Sequence, residues 1–121
     1  MRSLRILVVE DNALVGMLLA DMLGEMGHDV CGIESTESAA VTTALRCRPD
    51  LMILDAVLGE GSGIAAMERI ERVEAFPHFF ASGDIARVKA MRPNAVVIQK
   101  PFVEADLVRA IDRALLAAVP S

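Results

Sequence analysis

Five short apolar runs punctuate this chain, and helical patterns fill most of the spacing between them. LRILVV (4–9), VCGI (30–33), LMIL (51–54), HFFAS (78–82) and AVVIQ (95–99) are continuous and rich in branched or aromatic residues, so each reads as a strand covered on both faces. Between the first two, Leu14, Leu18, Met22 and Met26 recur every four residues, a helix face that Gly27 would stop. Ser35 or Thr36 is placed to cap a second helix, with Val41, Ala44 and Leu45 turned inward. Pro49 would end it, because its ring disfavours helical geometry at Arg48. Ile64, Met67 and Ile70 mark a third helix, and Leu107, Ile111 and Leu115 line the last. Strand and helix in alternation argue for one parallel sheet with helices on both faces, joined by right-handed crossovers. In such open sheets ligands sit beyond the carboxyl ends of the strands.

Bulk properties narrow the function classes. The chain of 121 residues is long enough for one domain with a real core and too short for two. With 54% hydrophobic residues it is not a disordered chain. Its net charge of −5 argues against a general nucleic-acid binder, which needs a basic face. No apolar run is long enough to span a membrane, and MRSLRILVVEDN lacks a signal-peptide core, so a cytoplasmic location is expected. Cys31 and Cys47 form no CxxC pair and read as reduced, buried core thiols.

The strand ends carry the chemistry. Strand one ends in Glu10–Asp11, strand three in Asp55, strand four in Ser82 and strand five in Lys100–Pro101. Each has a bland reading. Asp11 or Asn12 could cap the first helix, Ser82 or Asp84 the fourth, Asp55 could open a turn, and Lys100 could be a surface lysine. The coincidence of all four is harder to obtain from capping alone. Two carboxylates 4 Å apart repel by roughly 4 kcal/mol at an effective dielectric of about 20, so three need more counter-charge than one lysine supplies. An all-oxygen donor set without His or Cys suits Mg²⁺ or Mn²⁺ and not zinc. A carboxylate beside such an ion, a hydroxyl and an ammonium is a phosphoryl-transfer constellation.

These residues resemble the receiver domains of two-component response regulators, and the likeness runs from LRILVVEDN through RPDLMILD and FFASGD to VIQKPF. The resemblance implies a flavodoxin-like (βα)5 doubly wound parallel sheet of strand order 2-1-3-4-5. It implies that Asp55 takes a phosphoryl group from a phosphohistidine of a sensor kinase or phosphotransfer protein. Asp11, Asp55 and the backbone carbonyl of Val57 would bind Mg²⁺, with Glu10 acting through a water. Ser82 and Lys100 would hold phosphoryl oxygens, and Gly83 would leave the acyl phosphate accessible. Val57 and Asp84 would tune its lifetime, and the Lys100–Pro101 bond would be cis. Beyond its own phosphorylation and dephosphorylation the domain would not be an enzyme.

The sequence departs from that pattern in four places. Glu10 stands where Asp is commoner. Gly59 replaces a common Pro, which predicts a looser loop. Val97 occupies the position of the usual aromatic switch. Only 100 − 82 = 18 residues separate Ser82 from Lys100, so helix four, within 84–91, should be short or irregular. Short receivers with a Phe-Ala-Thr-Gly-like strand-four motif look similar, and Phe80-Ala81-Ser82-Gly83 comes close.

The expected organisation is one receiver domain over residues 1–121, without an output domain, as a monomer or weak dimer. It would work by binding a downstream protein or passing phosphate on, through the first helix toward the kinase and the fourth-helix, fifth-strand and fifth-helix face for output. A phosphatase reading fails at Val57, where a second acid is needed. A nucleotide reading of GEGSG fails because Ile64 stands where a dinucleotide fingerprint needs Gly and no P-loop Lys follows. A non-phosphorylated scaffold of the same fold is the remaining alternative.

Overall fold

The computed structural model describes residues 2–118. Its strands and helices alternate strictly: β1 (Arg5–Val9), α1 (Ala13–Glu25), β2 (Asp29–Glu34), α2 (Glu37–Cys47), β3 (Leu51–Asp55), α3 (Gly63–Glu71), β4 (His78–Ser82), α4 (Ile85–Met91), β5 (Val97–Gln99) and α5 (Glu104–Ala117). The five strands form one parallel sheet in the order β2-β1-β3-β4-β5, a flavodoxin-like receiver fold.

Alternating strand residues build two cores. Ile6, Val8, Leu51, Ile53 and Phe79 face α1 and α5, where Leu19, Leu23, Leu107 and Ile111 meet them. Leu7, Val9, Met52, Leu54 and Phe80 face α2, α3 and α4, where Ala44, Met67, Ile70 and Val88 close the other layer. Burial on both faces is why the strand sequences show no polar alternation.

Helix starts are decided by local side chains. Asn12 Oδ1 accepts from Val15 N, Thr36 Oγ1 from Ala39 N, Ser62 Oγ from Ala65 N and Asp84 Oδ1 from Arg87 N. Asn12 and Asp84 therefore do the capping, which leaves Asp11 and Ser82 free for other work. α2 stops as expected before Pro49, with Arg48 left-handed at φ 50°.

The first helix differs from the expectation. Leu14 and Leu18 are 65% and 55% exposed, and the buried residues of α1 are Gly16, Leu19 and Leu23. The helix is apolar nearly all round, so the four-residue spacing holds only for its second half, where Met22 and Met26 pack against the core, and fails at Leu14 and Leu18. Gly16 lies on the buried face: a Cβ there would lie 2.9 Å from Ile33 Cγ2, so a larger residue would require Ile33 or α1 to shift. The two cysteines also differ, being half-buried rather than fully enclosed. α4 is as short as the spacing implied, with seven residues of which only Val88 is fully buried. Among the described residues no helix is long and apolar enough to cross a membrane.

Candidate phosphoacceptor site

Sheet register brings the strand ends together. Val9 lies beside Leu54, Asp55 beside Ala81 and Ser82 beside Gln99, so the next residues of β1 and β5 emerge around Asp55. The Lys100 ammonium donates to Glu10 Oε1 and to Asp55 Oδ2, each at 2.9 Å. The second oxygen of each acid is held by backbone: Asn12 N donates to Glu10 Oε2 and Val57 N to Asp55 Oδ1, both at 3.1 Å. Glu10, Asp11 and Asp55 each offer a carboxylate oxygen within 4.8 Å of the others.

The electrostatics follow from burial and pairing. Burial pushes the Glu10 carboxyl above its ordinary range, and the charge on Asp55 adds to this, while the hydrogen bonds from Lys100 and Asn12 oppose it. Burial works against the charge on Lys100, yet the hydrogen bonds to Glu10 and Asp55 outweigh it and hold the ammonium above its ordinary value. One ammonium shared by two of three clustered acids leaves negative charge that a hard divalent cation fits. The donor set, all carboxylate oxygen, suits Mg²⁺ or Mn²⁺.

The remaining expected site residues lie around this cluster. Ser82 is buried, and its hydroxyl is turned to the backbone of Asp84: it accepts from Asp84 N at 2.9 Å and donates to Asp84 O at 3.2 Å. Gly83 has open space where a Cβ would point. Val57 is 62% exposed, so its side chain stands at the rim. Lys100–Pro101 is cis. Val97 is buried beside Phe80 and offers no aromatic ring to rotate.

Two participants were not legible beforehand. A Cβ on Gly63 would lie 2.1 Å from the carbonyl oxygen of Asp55, so only glycine allows α3 to start against the backbone of the strand end. Glu37, at the start of α2, accepts from Ser62 N at 3.2 Å and from Arg69 at 3.0 Å, and its own N–H reaches Glu60 O at 3.3 Å. Gly61, at φ +80°, lets the loop pass over the Glu37 side chain. The glycine-rich stretch after Asp55 is thus pinned at Glu60–Ser62, whereas its composition suggested looseness. Gly59 has a different neighbour, Asp11 Oδ2, 3.4 Å from where its Cβ would be. Nothing local links Glu37 to residues 25 positions away.

Comparison with known proteins agrees with this geometry. A family model described as response regulator receiver domain matches residues 6–112. The transcriptional regulatory protein PdtaR of Mycobacterium tuberculosis is 33% identical over 92% of this chain, and the chain spans 56% of that protein's length. The chemotaxis protein CheY of Thermotoga maritima is 27% identical, over 90% of this chain and 95% of its own. In three dimensions the chain is similar to the receiver domain of the PhyR response regulator of Erythrobacter litoralis, with a TM-score of 0.87 and 30% identity over 98% of this chain and 95% of that one. With acids, ammonium and hydroxyl at the matching strand ends of this sheet, the chain belongs to the response regulator receiver domain family of two-component signalling.

Proposed function

We propose that the chain is an active phosphoacceptor: Asp55 takes a phosphoryl group from a phosphohistidine. The observation that carries this reading is the Lys100 ammonium held 2.9 Å from both Asp55 and Glu10, beside three converging carboxylates. A carboxylate oxygen of Asp55 attacks phosphorus, the P–N bond breaks, and its electron pair returns to the imidazole. Lys100 then faces the transferred group and balances part of its charge. Ser82 is one strand away and buried, with its Oγ placed to leave Asp84 for a phosphoryl oxygen. The open space at Gly83 keeps the donor's approach clear.

Glu10, Asp11 and Asp55, with the Val57 carbonyl, would hold Mg²⁺ or Mn²⁺. When bound, such an ion neutralises the acids and the phosphoryl oxygens. Val57, whose N–H donates to Asp55, and Asp84, whose backbone holds the Ser82 hydroxyl, would set how long the phosphoaspartate survives. The domain acts on itself alone, so it is a signalling module and not a turnover enzyme. Its output is a change in binding to a downstream protein or onward phosphotransfer, and a cytoplasmic location fits both. Because Val97 supplies no ring, the signal would reach the α4–β5 face through Ser82, Asp84 and the α4 cap.

Acetyl phosphate with Mg²⁺ tests the reading. Intact-mass spectrometry should show one added phosphoryl group, lost in Asp55→Asn. No mass gain in the wild type, or an undiminished gain in the variant, would establish instead the non-phosphorylated scaffold.

A further inference from the structure

The two cysteines of the chain are 16 residues apart in sequence and are brought together in space. Cys31 lies in β2, at the free edge of the sheet, and Cys47 is the last residue of α2. Pairing of β1 with β2 runs Ile6 to Val30 and then Leu7 to Gly32, so Cys31 is the extra residue of a β-bulge. A bulge turns two consecutive residues toward one face. Val30 packs in the α1 and α5 core, while Cys31 packs in the core under α2. Gly32 faces the same way, since a Cβ there would lie 3.2 Å from Thr43 Cγ2 of α2.

Strand alternation from Val30 therefore sets Cys31 on the face that α2 covers, and the bulge turns Gly32 the same way. The Cys31 carbonyl accepts the Cys47 thiol at an S-to-O distance of 4.0 Å. Burial raises the Cys31 thiol, and the neighbouring Cys47 pushes the same way, while Arg5 opposes both. Both cysteines are only half-buried, so a small oxidant can reach them.

We infer that Cys31 and Cys47 form a two-electron oxidation site at the α2–β2 edge, which a peroxide converts to an intramolecular disulfide. One thiolate attacks a peroxide oxygen. The O–O bond breaks, leaving a sulfenic acid and releasing an alcohol, or water from hydrogen peroxide. The second thiol then attacks that sulfur, the S–S bond forms and the S–O bond breaks, and hydroxide leaves with the second thiol's proton as water. Two thiols are oxidised and one peroxide is reduced. The site is distinct from the Asp55 cluster and does not depend on phosphorylation.

Hydrogen peroxide is the probe, applied to the full chain after removal of reductant. The expected product is a monomer lighter by two hydrogen atoms, with no titratable thiol and with the peptides containing Cys31 and Cys47 cross-linked. Dithiothreitol should restore both thiols. Cys31→Ser and Cys47→Ser should each block the loss of hydrogen and give a sulfenic acid that dimedone traps. The wild-type peptide map needs no variant and decides the question even if a variant folds poorly. Covalent dimers, oxygen added to one cysteine with the other intact, or two thiols surviving excess peroxide would each overturn the assignment.

Discussion

Lys100 holds two acids with one charge, and its side chain is 27% exposed. Removing that charge acts on binding and on chemistry in opposite senses. In Lys100→Met the acids lose their internal counter-ion, so Mg²⁺ should bind roughly tenfold tighter or more, as isothermal calorimetry can measure. Phosphorylation by acetyl phosphate should nevertheless slow, because no ammonium faces the transferred group. A variant with unchanged Mg²⁺ affinity would show that Lys100 does not neutralise the acids. Gly63 and Gly83 form a second contrast. A Cβ at Gly63 meets a backbone oxygen at 2.1 Å and one at Gly83 meets nothing within 4 Å. Gly63→Ala should therefore cost about 2–4 kcal/mol in urea denaturation, and Gly83→Ala less than about 0.5 kcal/mol. If both cost the same, steric contact with Asp55 is not what selects Gly63. Asp55 and Lys100 were legible from their places after apolar runs. Gly63 was not, because its reason is a contact with the backbone of a preceding element.

At the scale of elements, α4 is the least anchored helix, and Arg92, the residue that caps its C-terminus, is held from two sides. Its guanidinium pairs with both oxygens of Glu71 at 2.9 and 3.1 Å, lies 5.6 Å from the Phe80 ring centre and is 3.5 Å from His78 Nε2. Burial lowers the His78 pKa from its ordinary 6.5, and Arg92 adds to this, while the Phe76 carbonyl and Glu71 oppose. The folded state thus takes up this proton at lower pH than the unfolded state does. The stability His78 contributes is fully present above pH 6.5 and declines as pH falls from there through the folded value. Glu71, though raised by burial, is brought below its ordinary 4.5 by Arg92, so its share is lost only at more acid pH. Glu10, raised in the fold, has the opposite sign and cancels when wild type is compared with His78→Gln. The melting temperature of the wild type should drop more steeply than that of the variant on going below pH 6.5. Parallel curves would mean that His78 titrates alike in both states. The shortness of α4 was legible from the Ser82–Lys100 spacing, but the Arg92 clamp joins three elements and has no local signature.

For the molecule as a whole, the parallel order places the site residues at the carboxyl end of the sheet and leaves an apolar stripe of α1 uncovered. Leu14, Met17 and Leu18 are each more than half exposed. A partner helix that carries the phosphohistidine would find that stripe beside the acids. Leu18→Asp should change stability by less than about 0.5 kcal/mol and leave acetyl phosphate chemistry intact, while slowing phosphotransfer from a cognate kinase roughly tenfold. Equal rates from the kinase would remove α1 from the docking surface. The amino-acid sequence by itself determined the alternation of elements and the residue types at the strand ends, and narrowed three helix caps to two candidates each, because these rest on periodicity and on interactions within a few positions. The tertiary structure alone decided which stripe of α1 is buried, how Glu37 and Gly61 pin the loop after Asp55, and how the packing of α2 on β2 sets Cys47 against Cys31. Those outcomes depend on contacts between residues far apart in sequence, such as Gly16 with Ile33 and Gly61 with Glu37, which no local pattern encodes.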